Sequence, residues 1–216
     1  MTRADPETRL LTCLDALAYR DIRLEGLCQH PEAFASTFED ERDRPLDWFK
    51  ELITQSRVFG VFLPQGLVGV VGLRSHADAK QRHKAMIWGM YVRREARQHG
   101  IGERLIEAAV AYASSHVEQL QLAVVTENEA ARRLYAKAGF IEYGHQINAL
   151  KHGGRYYDDI LMVKFLGPSP PQSSANPAYK PAGSGEATAG KSQRPSSPGS
   201  PVRYAPWRRP SARRRG

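Results

Sequence analysis

The sequence predicts an α/β fold of the α+β type: a mixed, mostly antiparallel central sheet of six to seven strands flanked by about four helices. Three observations predict it. The hydrophobic period switches repeatedly between that of a helix and that of a strand. Strand-like runs follow one another across short turns at Pro64-Gln-Gly66 and Lys151-His-Gly-Gly154, which join antiparallel neighbours. Two helical stretches interrupt the later strands, and a sheet built in that order is covered on both faces.

Taken in order, residues 8–11 read as a short first strand. Thr12-Cys-Leu-Asp15 has the hydroxyl-x-x-acid form of a helix start and opens a helix to about Gln29, where His30-Pro31 stops it. A second helical region spans residues 31–56 and breaks near Pro45. Strands follow at residues 58–63, 67–75 and 84–92. Residues 100–116 form a helix with Ile101, Leu105, Ala108, Ala109 and Tyr112 on one stripe, while Glu103, Arg104 and Glu107 face away. Residues 119–125 are a strand, and residues 128–138 a short helix with Ala131, Leu134, Tyr135 and Ala138 along one side. Gly139 is its left-handed stop. Two closing strands occupy residues 140–150 and 155–165.

A chain of 216 residues holds one substantial core. The domain is placed at residues 1–166, followed by a Pro/Ser/Arg-rich basic tail at residues 167–216 that is expected to be disordered. The formal charge of +8 belongs to that tail, which carries nine Lys and Arg against the single acidic residue Glu186; the 22 basic and 22 acidic residues before it cancel. The tail's arginines suit an acidic or nucleic-acid partner, or simply a solvated extension, whereas the domain itself gives no such signal. Cys13 and Cys28, roughly 22 Å apart if they share one helix, cannot bridge each other. Free thiols, a polar N-terminus and no membrane-length apolar run point to a cytoplasmic protein without a membrane segment. No metal-ligand spacing is present.

In Arg97-Gln-His-Gly-Ile-Gly102 a strand gives way to a helix, and the glycines clear side chains from where a ligand would meet the backbone. Free N–H groups at such a helix start bind a diphosphate. A Walker loop requires Lys after its second glycine, where Glu103 stands; the dinucleotide fingerprint requires a third glycine, where Leu105 stands. One strand later comes Asn128-Glu-Ala-Ala-Arg-Arg-Leu-Tyr-Ala-Lys-Ala-Gly-Phe140.

These two motifs, in this order and at this separation, resemble the GNAT superfamily of acyl-CoA N-acyltransferases. Met90-Tyr-Val92 with Arg97-Gln-His-Gly-Ile-Gly102 is similar to its coenzyme A loop, and Asn128-x-x-Ala131-x-x-Leu134-Tyr135-x-x-x-Gly139-Phe140 to the block that follows. The resemblance implies an N-acetyltransferase that uses acetyl-CoA as cosubstrate, needs no metal, and transfers directly to an amine acceptor in a ternary complex. A homodimer is common among similar proteins. By the resemblance, Met90, Tyr91, Val92, Arg97, Gln98, His99, Gly100, Ile101, Gly102, Asn128 and Ala131 bind acetyl-CoA, and Tyr135 is the general acid for the departing sulfur.

Read from the residues alone, Tyr135 is a core aromatic on an amphipathic helix and Asn128 a helix cap; it is the motif that turns Tyr135 into the acid. Some relatives carry a glutamate base on the strand before the loop, where this chain has Ile87, Trp88 and Gly89. The base is therefore unassigned among Glu39, Asp40, Glu41, His76, His83, Asp158 and Asp159. Phe34, Trp88 and Tyr156 are the candidate acceptor-pocket residues, drawn from a wider set with Phe38, Trp48 and Tyr157. A sensor of acyl-CoA, or a module that presents the basic tail to nucleic acid or a ribosome, is the alternative reading; a protein N-terminus or lysine is the alternative acceptor.

Overall fold

A computed structural model describes residues 5–167; the expectations for the tail beyond Gly167 lie outside the described residues. Seven strands form one sheet in the order β1-β2-β3-β4-β5-β7-β6: β1 (Glu7–Leu10), β2 (Arg57–Leu63), β3 (Gly66–Ser75), β4 (Lys84–Val92), β5 (Gln119–Val125), β6 (Ile141–His152) and β7 (Arg155–Phe165). Every neighbouring pair is antiparallel except β4 with β5. The mixed, mostly antiparallel sheet is the one expected. Among the described residues five α-helices accompany it, in line with the expected four or so, the region before β2 being broken at Pro45 into two.

The first helix opens as Thr12 and Asp15 dictate. Thr12 Oγ1 accepts from Leu14 N–H, and Asp15 Oδ2 accepts from Thr12 N–H at 2.7 Å, which closes a capping box. The box makes one 3-10 turn, Cys13–Asp15, before α1 (Ala16–Gln29) begins. Arg9 grips the same carboxylate at 2.8 Å, and that hydrogen bond holds the Asp15 carboxyl down at about 2. Cys13 and Cys28 are both free and exposed. Past His30 the chain makes a second 3-10 turn (Pro31–Ala33), then the single turn α2 (Phe38–Glu41), capped by Thr37, then α3 (Leu46–Gln55) after an extended Pro45.

The sheet separates two cores. On one face, Tyr19 and Ile22 of α1 and Phe49 and Ile53 of α3 pack on Val58, Val70 and Tyr91. On the other, α4 (Ile101–Ala113) lays Ile101, Leu105 and Ala109 over Val68, Val71, Ala85, Ile87 and Leu120, and α5 (Glu129–Lys137) adds Tyr135. The stripe expected on α4 is the buried one, although Tyr112 is only partly covered and Ile106 and Ala113 join the core. No helix among the described residues is long and apolar enough to cross a membrane.

One buried ion pair ties α2 to α1 beneath this roof. Arg23, 5% exposed, donates from Nε and Nη2 to both oxygens of Glu41 at 3.0 and 2.8 Å. Its guanidinium also lies 5.1 Å from the Phe34 ring centre and 5.5 Å from that of Trp88. Removing the carboxylate leaves a buried charge without its counter-ion. Glu41→Ala should therefore cost about 3–5 kcal/mol by urea denaturation. The double replacement Arg23→Met with Glu41→Leu should recover most of that loss, and an equal loss in both variants would show that packing, not charge, governs this contact.

Candidate active site

The two sequence motifs meet at the centre of the sheet, where β4 and β5 part. Their parallel pairing runs only through Lys84↔Gln119, Ala85↔Leu120 and Met86↔Gln121. Beyond Met86 the β5-facing edge of β4 has no strand partner, so its amide and carbonyl groups are left to whatever enters the gap.

A bulge decides which side chains face that gap. Between Trp88 and Tyr91 β4 advances three residues while β3 advances two, from Gly72 to Val70, and Gly89 takes a φ of +60 to absorb the excess. Without the extra residue, strand alternation would send Met90 to the same face as Trp88. With it, Met90 and Val92 pack against the α4 core, and Tyr91 turns to the opposite face. There Tyr91 donates its hydroxyl to Glu25 at 2.9 Å, and burial, reinforced by that carboxylate, pushes its phenol up to about 12. The Tyr91 side chain is thus committed to α1; only its main chain borders the gap. The glycine inside the strand was the available signal for this bulge.

The loop after β4 forms the upper wall. A 3-10 turn (Arg94–Ala96) precedes Arg97, then Gln98 and Gly100 both take positive φ, +63 and +73, before α4 begins at Ile101. Arg104 N–H is the first to bond within the helix, to Gly100 O at 3.1 Å, so helix geometry leaves the N–H groups of Ile101, Gly102 and Glu103 without intrahelical acceptors. A side chain at Gly100 would meet nothing within 4 Å, so this cradle is open. One at Gly102 would stand 3.0 Å from Leu134 and 3.3 Å from Met90, so that glycine lets α4, α5 and β4 converge. Arg97 turns away from the helix start: its guanidinium donates to Val92 O at 3.0 Å and reaches His30 Nε2. His99 braces the loop, its Nδ1–H donating to Arg97 O at 2.6 Å.

Tyr135 is placed by the end of its own helix. Phe140 N–H bonds Tyr135 O and Gly139 N–H bonds Ala136 O, the two bonds of a Schellman motif, with Gly139 at φ +85. The apolar contact that goes with the motif is Tyr135 against Phe140, ring centres 5.9 Å apart and edge to face. This packing aims the phenol at β4, where its O–H donates to Met90 Sδ at 3.4 Å. Burial alone pushes the Tyr135 phenol well above its ordinary value. At the other end of α5, Asn128 Oδ1 accepts from Ala131 N–H at 3.1 Å, the cap expected of it.

Of the pocket residues, Phe34 and Trp88 come together around Arg23, on the face opposite Tyr135. Tyr156 does not join them; it stands 52% exposed, its hydroxyl accepting from Lys151 near the tip of the β6–β7 hairpin. The base candidates separate too. Glu41 is consumed by Arg23, and Asp158 accepts from Asn148 N–H at 2.7 Å and lies 3.2 Å from His145. Asp159, the neighbour of Asp158, faces the other way. Among the described residues, no group of three or more His, Cys, Asp or Glu could hold a metal ion. A hollow lined by Thr54, Leu73, Ala85 and Tyr112 lies toward the opposite end of the sheet and holds none of these residues.

Residues 24–140 match the Acetyltransferase (GNAT) family. The chain belongs to this family. A spermidine N(1)-acetyltransferase from Vibrio cholerae is 28% identical over 103 residues, 45% of this chain and 60% of that protein, so the chain spans about 60% of the length of this curated relative. Two solved structures share the fold. An acetyltransferase of the GNAT family from Streptococcus pneumoniae superposes with a TM-score of 0.65 at 22% identity, over 76% of this chain and all of that one. The Salmonella typhimurium protein yncA, solved with its cofactor acetyl-CoA, gives 0.66 at 17%, over 78% and 98%.

The cap on α5 can be tested by itself. Asn128→Ala should lower stability by about 1 kcal/mol in thermal denaturation, while Asn128→Ser, which keeps an acceptor oxygen, should lose only a few tenths. Equal losses would mean that Asn128 does not act as a cap.

Proposed function

We propose that the protein is an N-acetyltransferase that moves an acetyl group from acetyl-CoA to a primary amine by direct attack in a ternary complex. One observation carries this reading: the glycine start of α4, the unpaired edge of β4 and the Tyr135 hydroxyl converge on a single gap in the sheet. Family membership and a similar structure holding acetyl-CoA support the same cosubstrate.

Each part has work that its chemistry suits. The free N–H groups of Ile101, Gly102 and Glu103, with the positive end of the α4 dipole, take the diphosphate, and the absence of a side chain at Gly100 leaves room for it. Gln98 and His99 contribute to this site through the loop's main chain. Arg97 contributes by fixing the loop to β4 rather than by direct charge pairing. The bare edge at Met90, Tyr91 and Val92 pairs with the amide-bearing arm of the carrier as an added strand would, and one of its N–H groups meets the thioester oxygen. Asn128 and Ala131 border the arm from α5.

Acetyl-CoA supplies an acyl carbon activated by a thiol leaving group. The neutral amine forms the C–N bond as the C–S bond breaks; Tyr135 gives its hydroxyl proton to the departing sulfur, a thiol of pKa about 8.5, and the proton shed by the amine nitrogen restores the phenol through water. The Tyr135 hydroxyl donates its hydrogen bond to Met90 Sδ, a thioether sulfur, so the donor already points at a soft acceptor. Phe34 and Trp88 border the acceptor's approach from the α1 face. The acceptor is a primary amine, with polyamines a natural first choice because of the spermidine-acetylating relative. We place the protein in the cytoplasm, where acetyl-CoA and free thiols coexist.

Tyr135→Phe keeps the ring against Phe140 and removes only the proton. With the best acceptor from a panel of amines, peptides and aminoglycosides, kcat should fall about 100-fold, within the usual range for a lost general acid. Acetyl-CoA affinity should stay within about twofold, because the contact is made chiefly in the transition state. An unchanged kcat would remove Tyr135 from the mechanism. Since burial raises the phenol's pKa, Tyr135 stays protonated as pH rises through its ordinary value of about 10. The wild-type kcat profile should therefore show no falling limb below about pH 10; a fall that disappears in Tyr135→Phe would contradict that protonation state.

A further inference from the structure

Asp158 and Asp159 are adjacent on β7 and point to opposite faces of the sheet, with opposite consequences. Asp158 lies on the parity of Ile160, Met162 and Lys164, which meets α5, and its carboxylate is tied. It accepts Asn148 N–H at 2.7 Å, in a stretch where β6 slips register against β7 and Asn148 takes a φ of +54, and it faces His145 at 3.2 Å. Asp158 is thereby explained as a structural residue.

Asp159 has no such explanation. It is 8% exposed, yet no hydrogen bond or ion pair reaches its carboxylate among the described residues. A largely covered carboxylate that finds no protein donor has only solvent, or a ligand that reaches the same opening, to satisfy it. Burial, with the neighbouring charge of Asp158, raises its pKa.

Its position says what it could meet. Asp159 pairs with Val125, the last residue of β5, and with Gln146 of β6. Extending the β4–β5 register past Met86 brings Val125 level with the Met90–Tyr91 stretch. Asp159 therefore stands two strand spacings from β4, about 10 Å plus the splay, at the height where Tyr135 touches Met90. Its face is that of Trp88 and Phe34, and the Pro31–Ala33 turn packs on β5 and β6. The cations nearby on α1 and at the end of β4 are already matched, Arg23 by Glu41 and Arg93 by Glu25 at 3.0 Å. Asp159 is left as an unmatched anionic group on the acceptor side of the gap.

We propose that Asp159 is the residue that receives the ammonium group of the acceptor, a primary alkylammonium, and holds it against the gap between β4 and β5, where the nitrogen attacks once it has released one proton to water. This rests on the acetyl-transfer reading for the identity of the gap, but the carboxylate's own behaviour can be measured without turnover. An ammonium supplies the donors that the buried carboxylate lacks and the charge that offsets it. An amide nitrogen or an alcohol supplies no charge, so the site selects amines over their neutral isosteres.

The test uses the full chain labelled with 13C at aspartate carboxyls, the Asp159 resonance being assigned by its loss in Asp159→Asn. Addition of n-butylamine or spermidine at pH 7 should move the Asp159 resonance saturably in the millimolar range, whereas n-butanol should leave it in place. In turnover, Asp159→Asn should lower kcat/KM for the same amines about 100-fold, as expected when one partner of a buried charge pair is removed. Should Asp159→Asn fail to fold, the resonance is assigned in the wild type by backbone-to-carboxyl correlation instead; an Asp159 resonance silent to both amines, or one that n-butanol moves equally, overturns the proposal. Calorimetry with acetyl-CoA on the same wild-type sample separates the two readings: no heat beside a responsive Asp159 sinks acetyl transfer and keeps the ammonium site.

Discussion

Hydrogen bonding between the two central parallel strands ends after three residue pairs, and everything at the site depends on that ending. A sheet that stayed paired would use every amide of β4 internally and leave nothing to bind with. The gap is maintained from both sides. On β4 the Gly89 bulge breaks the regular pleat and redirects the three residues that follow. On β5 the strand finds its full partner in β7 instead, with pairing from Gln119↔Phe165 to Val125↔Asp159.

Two different kinds of packing then give the gap two different faces. The α4 and α5 face is apolar, closes over Met90 and Tyr135, and raises the pKa of the Tyr135 phenol by burial alone. The α1 face carries buried charge, matched at Arg23 and Glu41 and unmatched at Asp159. A neutral proton donor on one side and an anion on the other is an arrangement that polarises whatever lies between them, and burial strengthens both effects by removing water.

The architecture was legible because its signals are local. Thr12 and Asp15 announce a helix start, Gly139 a helix stop, and the Pro64-Gln-Gly66 turn a hairpin; each acts over a few residues. The two motifs, each weak alone, were legible together only through their order and separation, which carry the resemblance to the family. What escaped was non-local. Gly89 stands where some relatives carry a glutamate, but its positive φ absorbs the bulge that sends Met90 to the face opposite Trp88. The partners of Arg97, Val92 O and His30, lie five and 67 residues away in sequence and could be read only from the fold. Tyr156 is aromatic and close in sequence to Asp159, but one strand end separates a solvent-facing ring from a buried carboxylate. Which of two consecutive aspartates is tied can be read only from register, because that depends on Asn148, ten residues earlier and on another strand.

Amide chemical-shift mapping of the full chain with a non-reactive acetyl-CoA analogue tests the central claim most directly. The account predicts that the largest shifts fall on Ile101, Gly102 and Glu103 at the start of α4 and on Met90 to Val92 along the bare edge of β4. Binding that leaves those amides unmoved, or that shifts residues around Leu73 and Ala85 where β4 and β5 are still paired, would contradict it.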